Sequence, residues 1–211
     1  MSEDLDFVIN QDLGRSARQT LLREYEESFV SDLRLLGLTL RAERTKYDEH
    51  RLAMFTFEYS SIFDSSLQTI KIDISLKSSL ICPTKKLPIK SVYTDQFLEE
   101  PIFSQDHTIN CIDLTESVAE KMRAALTRRE PAIRDFFDIW YVRSFSDFDF
   151  ERDEFCSLLR YKLAEVQYEY TLETNYDLLR RQIETDLRPV LTDNYGFDFD
   201  TIYTFILSYK I

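Results

Sequence analysis

Few residues in this sequence interrupt secondary structure, and few can form cross-links. Only three glycines and five prolines occur among 211 residues, which argues against a flexible linker or a disordered tract and is typical of a compact chain with long elements. The three cysteines, Cys82, Cys111 and Cys156, form no Cys-x-x-Cys pair. We therefore expect neither a disulfide framework nor a structural zinc site, and reduced thiols are typical of a cytoplasmic protein.

Long apolar runs and an excess of basic residues are also absent. No stretch approaches the run of about 18 uncharged apolar residues that a membrane span needs, and the first residues are acidic, so we expect no transmembrane helix and no secretion signal. A net charge of −12 argues against nonspecific nucleic-acid binding over the whole surface. Two local basic groups could still meet a polynucleotide, although solvated surface charge is the simpler interpretation of each. They are Lys85, Lys86 and Lys90, and Arg128, Arg129 and Arg134.

The pattern of apolar residues changes from a strand pattern to a helix pattern near residue 114. Apolar and alternating runs predict strands at 4–9, 51–59, 68–76 and 108–113. A helix with one buried face is predicted at 15–36, where it would cover the sheet. A period of 3.6 then predicts helices at 115–129, 133–144, 151–168, 174–187 and 198–208, the first with Thr115 as its N-cap. We therefore expect an α+β protein with a sheet domain at 1–114 and a helical domain at 115–211.

Aspartates two residues apart occur at three places in the sequence. Asp4 and Asp6 stand on a predicted strand, so both side chains are expected on one face, where they can share a metal pair. The pairs at 147/149 and 198/200 lie just ahead of predicted helices. Helix caps and helix-dipole partners explain those two pairs better.

Asp73 stands in the middle of a predicted strand, between Ile72 and Ile74. An ionised side chain there needs a cationic partner, unless that side of an antiparallel sheet faces solvent, which is the alternative explanation. Three carboxylates on neighbouring strands are what two-metal nucleotidyl transfer requires, because they hold two divalent ions at the triphosphate. Asp4, Asp6 and Asp73 are therefore the candidate metal ligands and catalytic residues.

Three segments together resemble the AbiEii/AbiGii-type nucleotidyltransferase toxins, a family of the DNA polymerase β-like superfamily. They are SEDLDF at 2–7, IKIDIS at 70–75 and DLTESVAEKMRAALTRREPAIRDFFDIWYV at 113–142. These segments look like the Asp-x-Asp, third-carboxylate and Lys/Arg-Asp motifs of that family, and the third segment is the most specific. The resemblance covers residues 2–142, whereas the helical tail at 143–211 contains no motif of this kind.

The resemblance implies a nucleotidyltransferase that moves an NMP from an NTP to an acceptor hydroxyl. Asp4, Asp6 and Asp73 would bind Mg²⁺ or Mn²⁺, and Asp73 would also be the base that activates the acceptor. The resemblance further implies the toxin of a type IV toxin–antitoxin or abortive-infection pair. Its acceptor would be RNA, tRNA in particular, and its partner a cognate antitoxin.

The same resemblance assigns nucleotide binding to residues of the third segment. Lys121 would reach the nucleotide phosphates as a point charge, with Arg128, Arg134 and Asp135 beside it. For Asp135 a second interpretation stays open. It can be a helix-dipole partner in the first turn of its helix, or a salt-bridge partner of Arg134, Lys121 or Arg128.

Members of this family carry a Gly-Gly-Ser/Thr turn and a helix before the Asp-x-Asp strand, whereas Met1 directly precedes SEDLDF here. In the family, the N–H groups and hydroxyl of that turn would hold the β- and γ-phosphates. Two explanations stay open: a longer protein with an upstream segment, which we favour, or an inactive truncated remnant that acts as a protein-binding module. Loss of a strand would also expose a sheet edge, which predicts self-association there. A small-molecule transferase on the same fold would differ only in its acceptor.

Overall fold

The computed structural model describes residues 4–48, 51–61, 64–76, 80–89, 107–166, 172–191 and 196–209. Residue contacts divide the chain into two compact units, Met1–Leu80 and Ile81–Ile211. The change from strands to helices that the sequence predicts near residue 114 lies inside the second unit, which also contains a two-stranded sheet. As a domain boundary, residue 114 stays a prediction.

The first unit contains a mixed sheet of five strands in its described residues. The strands are Asp4–Val8 (β1), Thr39–Leu40 (β2), Lys46–Asp48 (β3), Leu52–Ser60 (β4) and Leu67–Ser75 (β5). Their order is β1-β5-β4-β2, with β3 also paired to β4. Only the β1–β5 pair is parallel, and the other pairs are antiparallel. The strands predicted at 4–9, 51–59 and 68–76 agree with β1, β4 and β5 to within one residue at each end. In contrast, β2 and β3 are too short to show an apolar pattern.

One helix, Arg15–Arg34 (α1), covers one face of this sheet, as its amphipathic pattern predicts. Leu22 of α1 is fully buried, and Tyr25, Phe29 and Leu33 pack with it against the apolar face of β4 and β5. The sheet side of this core consists of Ala53, Phe55, Phe57, Ile72 and Ile74. Because α1 occupies this face, residues at the alternate strand positions point to the opposite face.

The second unit combines two strands with five α-helices in its described residues. Lys85–Pro88 (β6) pairs antiparallel with Thr108–Cys111 (β7). The helices are Leu114–Thr127 (α2), Ile133–Phe145 (α3), Asp153–Ala164 (α4), Tyr176–Gln182 (α5) and Phe199–Leu207 (α6), with a π-helical turn at Ile183–Leu187. A sheet core with six α-helices in the described part of the chain confirms the predicted α+β class. No helix in the described part of the chain has both the length and the hydropathy to cross a bilayer.

Aspartates are the N-caps of two of the helices, α2 and α6. Asp198 is the N-cap of α6 and accepts from the backbone N–H of Thr201 at 3.1 Å, which confirms a capping role for that aspartate. The prediction of Thr115 as the N-cap of α2 is wrong. Asp113 is the N-cap, and its Oδ1 accepts from the N–H of Thr115 at 2.8 Å. The reason is that a carboxylate one residue before the helix reaches the first unpaired N–H groups.

A buried ion pair joins α2 to α4. Lys162 of α4 and Glu116 of α2 have no exposed side-chain surface, and their charged atoms lie 2.6 Å apart. Lys162 also contacts Glu120 at 3.0 Å. The Glu116 carboxylate accepts the backbone N–H of Ile81 at 2.9 Å and of Cys82 at 2.6 Å. Glu116 therefore holds the segment before β6 as well as α4.

Gln182, the last residue of α5, caps the start of α3, although α3 lies much earlier in the sequence. Its Oε1 accepts the N–H of Ile133 at 2.9 Å, and its Nε2 donates to the carbonyl of Pro131 at 3.0 Å. α3 itself has Ala132 at its N-cap, a residue that offers no side-chain acceptor. The amide of Gln182 therefore replaces a local cap.

We expect Gln182→Ala to lower the free energy of unfolding by about 1–2 kcal/mol, because it leaves the N–H of Ile133 and the carbonyl of Pro131 without this partner. Urea denaturation measures the change. The exposed neighbour Arg181 supplies the matched variant, Arg181→Ala, for which a change within about 0.5 kcal/mol is expected. Equal losses from the two variants would contradict the capping role.

Candidate functional site

Asp6 and Asp73 lie directly opposite each other on neighbouring parallel strands. The register of β1 and β5 pairs Asp6 with Asp73, Leu5 with Ile72 and Phe7 with Ile74. Ile72 and Ile74 point into the core beneath α1, so Asp6 and Asp73 share the opposite face of the sheet. Neighbouring strands lie about 4.8 Å apart, which places the two carboxylates side by side.

The donor chemistry of this pair fits a divalent cation. Asp6 is exposed, whereas Asp73 is half-buried and its Oδ1 is fully buried. Two carboxylates directly opposite each other repel, and a hard cation such as Mg²⁺ binds oxygen ligands of this kind. The pair therefore offers the type of oxygen ligand that a divalent cation takes.

Asp4, the third member of the predicted set, lies on β1 two residues before Asp6, opposite Lys71 in the register. Its side chain is outside the described residues. Among the side chains that are described, no group of three or more His, Cys, Asp or Glu residues is arranged to hold a metal. The participation of Asp4 stays a prediction.

The second unit brings three of the four predicted nucleotide-binding residues together. Lys121 Nζ lies 3.1 Å from Oδ1 of Asp135, and an Arg128 guanidinium nitrogen lies 2.8 Å from Oδ2 of the same carboxylate. Asp135 is almost fully buried, whereas both cations are about half exposed. The salt-bridge interpretation of Asp135 is thus correct for Lys121 and for Arg128. Arg134 is exposed and has no ion-pair partner among the described residues.

A further member of this cluster is Asp138, which belongs to the motif segment at 113–142 but has no role assigned from the sequence. Its Oδ2 lies 2.9 Å from Lys121 Nζ. Asp135 and Asp138 are three residues apart on α3, a spacing that places both on one helix face. That spacing was the sequence signal for a role beside Asp135. Partial burial lowers the pKa of Lys121, but hydrogen bonding and charge attraction, first from Asp138 and then from Asp135, outweigh burial and raise the pKa above its ordinary value.

In the basic group near β6, one of the three lysines forms an ion pair. Lys85 pairs with Asp113 at 2.6 Å, and Lys86 is exposed on the same strand. Lys90 lies outside the described residues. Lys85 is exposed in this pair, whereas the Asp113 side chain is mostly buried and also caps α2.

Solved structures share this arrangement of strands and helices. Two crystal structures from Helicobacter pylori, one described as a candidate nucleotidyltransferase and the other as JHP933, each match with a TM-score of 0.50 and 15% identity. The match covers 99% of this chain, and 76% and 74% of the two H. pylori chains. At this identity the likeness shows the fold alone. A search of curated proteins finds no significant match.

The family follows from the sequence match. The model of the nucleotidyl transferase AbiEii toxin family, of type IV toxin–antitoxin systems, matches residues 1–205. The chain therefore belongs to the AbiEii toxin family of nucleotidyltransferases, which confirms the resemblance found in its motifs.

Proposed function

We propose that this protein transfers an NMP from an NTP to a hydroxyl of RNA, tRNA in particular, with Mg²⁺ or Mn²⁺ as its cofactor and a cognate antitoxin as its partner. The observation that supports this most is the register of β1 and β5, which sets Asp6 beside Asp73 on the face opposite α1. Membership of the AbiEii family supports the toxin role and the use of an NTP.

Asp6 and Asp73, together with Asp4, are the proposed ligands of the divalent ion. When bound, the ion supplies charge neutralisation at the triphosphate and at the leaving pyrophosphate. Asp73 is the proposed base, which takes the proton of the acceptor hydroxyl. The hydroxyl oxygen then forms its bond to the α-phosphorus as the bond from that phosphorus to pyrophosphate breaks.

The cluster on α2 and α3 is proposed to bind the nucleotide phosphates. Lys121 provides the point charge for a phosphate oxygen. Arg128 and Asp135 fix the cluster, because the two oxygens of Asp135 bind one cation each. Arg134, exposed one residue before Asp135, is the proposed second cation for the nucleotide or for the RNA backbone.

A transfer assay tests the proposal directly. The protein is incubated with each of the four α-³²P-labelled NTPs, Mg²⁺ and total tRNA, and the label in tRNA is measured on a denaturing gel. We expect label from at least one NTP, its loss on addition of EDTA, and its return with excess Mg²⁺ or Mn²⁺. Absence of label from every NTP, with tRNA and with total RNA, would contradict the proposal and favour a remnant that only binds a protein.

A parallel arm separates the two classes of acceptor. The tRNA is replaced by a mixture of small hydroxyl compounds, aminoglycosides among them, and products are separated by thin-layer chromatography. Label only in this arm would assign a small-molecule acceptor. Label only in tRNA would support the proposed acceptor, because the fold alone does not choose between them.

Self-association through the edge strand β1 stays a prediction.

A further inference from the structure

The ammonium group of Lys121 is bound by two carboxylates from the same helix. Its Nζ lies 3.1 Å from Oδ1 of Asp135 and 2.9 Å from Oδ2 of Asp138. An ammonium group has three N–H donors. Two of these N–H groups are directed to the aspartates, so the third can donate a hydrogen bond to an oxygen of a ligand. The side chain remains 45% exposed, so a ligand can approach it from solvent.

The two aspartates differ in what else they bind. Asp135 is 4% exposed and divides its oxygens between Lys121 and Arg128. Asp138 is 48% exposed, and its one ion pair within the described residues is with Lys121. Asp135 is therefore part of the packing between α2 and α3, whereas Asp138 forms its ion pair with Lys121 alone in the part of the chain that the structure describes.

We infer that Asp138 is a positioning residue, which holds the Lys121 ammonium so that its third N–H is presented to a phosphate oxygen of the NTP. This inference rests on the proposed function. A single tether at Asp135 leaves the long lysine side chain free to rotate about that contact, whereas two acceptors on one helix face fix the nitrogen in two directions. Fixing the donor before binding reduces the entropy lost when the nucleotide binds.

Replacing the Asp138 carboxylate by an amide distinguishes the effect of holding Lys121 in place from the effect of the negative charge of Asp138. Asp138→Asn keeps an acceptor oxygen at the same place and removes one negative charge. The loss of that charge makes the surroundings of Lys121 more favourable to a triphosphate. Asp138→Ala removes both the charge and the acceptor. A positioning role therefore predicts that the alanine variant loses nucleotide affinity and that the asparagine variant keeps it.

The test measures the dissociation constant of the α,β-methylene analogues of the four NTPs, with Mg²⁺, by isothermal titration calorimetry. The tightest binder is then compared across variants. We expect Lys121→Ala and Asp138→Ala each to raise the dissociation constant about 10-fold, the effect of one charge-assisted hydrogen bond, and Asp138→Asn to stay within about threefold. In the double variant Lys121→Ala/Asp138→Ala we expect no loss beyond that of Lys121→Ala, because Asp138 acts through Lys121.

A second measurement reports on the contact itself without any nucleotide. Acetic anhydride labels lysines as free amines, so Asp138→Ala is expected to increase the labelling of Lys121 at alkaline pH, read by mass spectrometry. Wild-type affinity in Asp138→Ala beside a loss in Lys121→Ala would overturn the inference and leave the proposed function standing. An additional loss in the double variant, or unchanged labelling, would also overturn it. A wild-type protein that binds none of the analogues would overturn the proposed function and this inference together.

Discussion

Asp73→Asn is expected to lower the rate of nucleotidyl transfer by at least about 100-fold while the protein stays folded. Loss of a group that only supports a metal ligand lowers metal affinity or activity by roughly 10–100-fold, so loss of a proposed direct ligand should reach or exceed the upper value. Asparagine has the size of aspartate and removes a charge that repels Asp6, which lies opposite it in the register. The rate in the tRNA assay and the thermal unfolding curve are the two measurements.

The matched control for this prediction is Asp32→Asn. Asp32 is an exposed residue of α1, the helix that covers the other face of the sheet, and it accepts from the hydroxyl of Ser28 at 3.3 Å. We expect Asp32→Asn to keep the wild-type rate and Asp6→Asn to share the loss seen in Asp73→Asn. A rate in Asp73→Asn that equals wild type at every Mg²⁺ concentration would mean that Asp73 neither binds the ion nor acts as the base.

The long strands and the helices were predictable from the sequence because their patterns repeat. β4 and β5 each run for nine residues, which is enough for an apolar face to show in the alternation. β2 and β3 have two and three residues, and β6 has no alternating apolar run, so each of these strands was missed. The π-helical turn after α5 was read as a continuous helix, because both forms place apolar residues at similar spacing.

The candidate carboxylates could be named from the sequence, but their pairing could not. An aspartate between two isoleucines indicates a strand position with a special requirement, and this observation identified Asp73. Which residue lies opposite Asp73 depends on the strand order and on a parallel register, and neither is written in local sequence. The structure supplies that information by pairing Asp73 with Asp6.

Charged residues on helices were the hardest to interpret. Lys162, Glu116 and Asp138 look like ordinary surface residues of amphipathic helices, since charged side chains are almost never fully buried. Their roles come from contacts between helices, as with the Lys162–Glu116 pair. Lys121 was found only because its segment resembles a family motif. The pattern of charges alone would have assigned it to the surface.

Lys162→Met is expected to lower the free energy of unfolding by about 3–5 kcal/mol, the typical effect of removing one partner from a buried ion pair. Methionine fills a similar volume, so the loss reports the uncompensated charge of Glu116. Burial raises the pKa of Glu116, but hydrogen bonds from Lys162, Cys82 and Ile81 outweigh burial and hold the pKa below its ordinary value. The stability that Glu116 contributes is therefore present above the ordinary glutamate pKa, and it is lost as the pH falls through the lower pKa of the folded state.

Two further variants separate the buried charge from general damage to the helix. In Lys162→Met/Glu116→Gln no buried charge remains at this pair, and the glutamine oxygen can still accept from Ile81 and Cys82, so we expect the double variant to be more stable than Lys162→Met. Arg188→Ala breaks the exposed pair of Arg188 with Glu184, whose atoms lie 3.0 Å apart. For that pair we expect a change of about 0.5 kcal/mol or less, because solvent screens exposed charges. Similar losses from Lys162→Met and Arg188→Ala in urea denaturation would show that burial of the Lys162–Glu116 pair adds nothing to its importance.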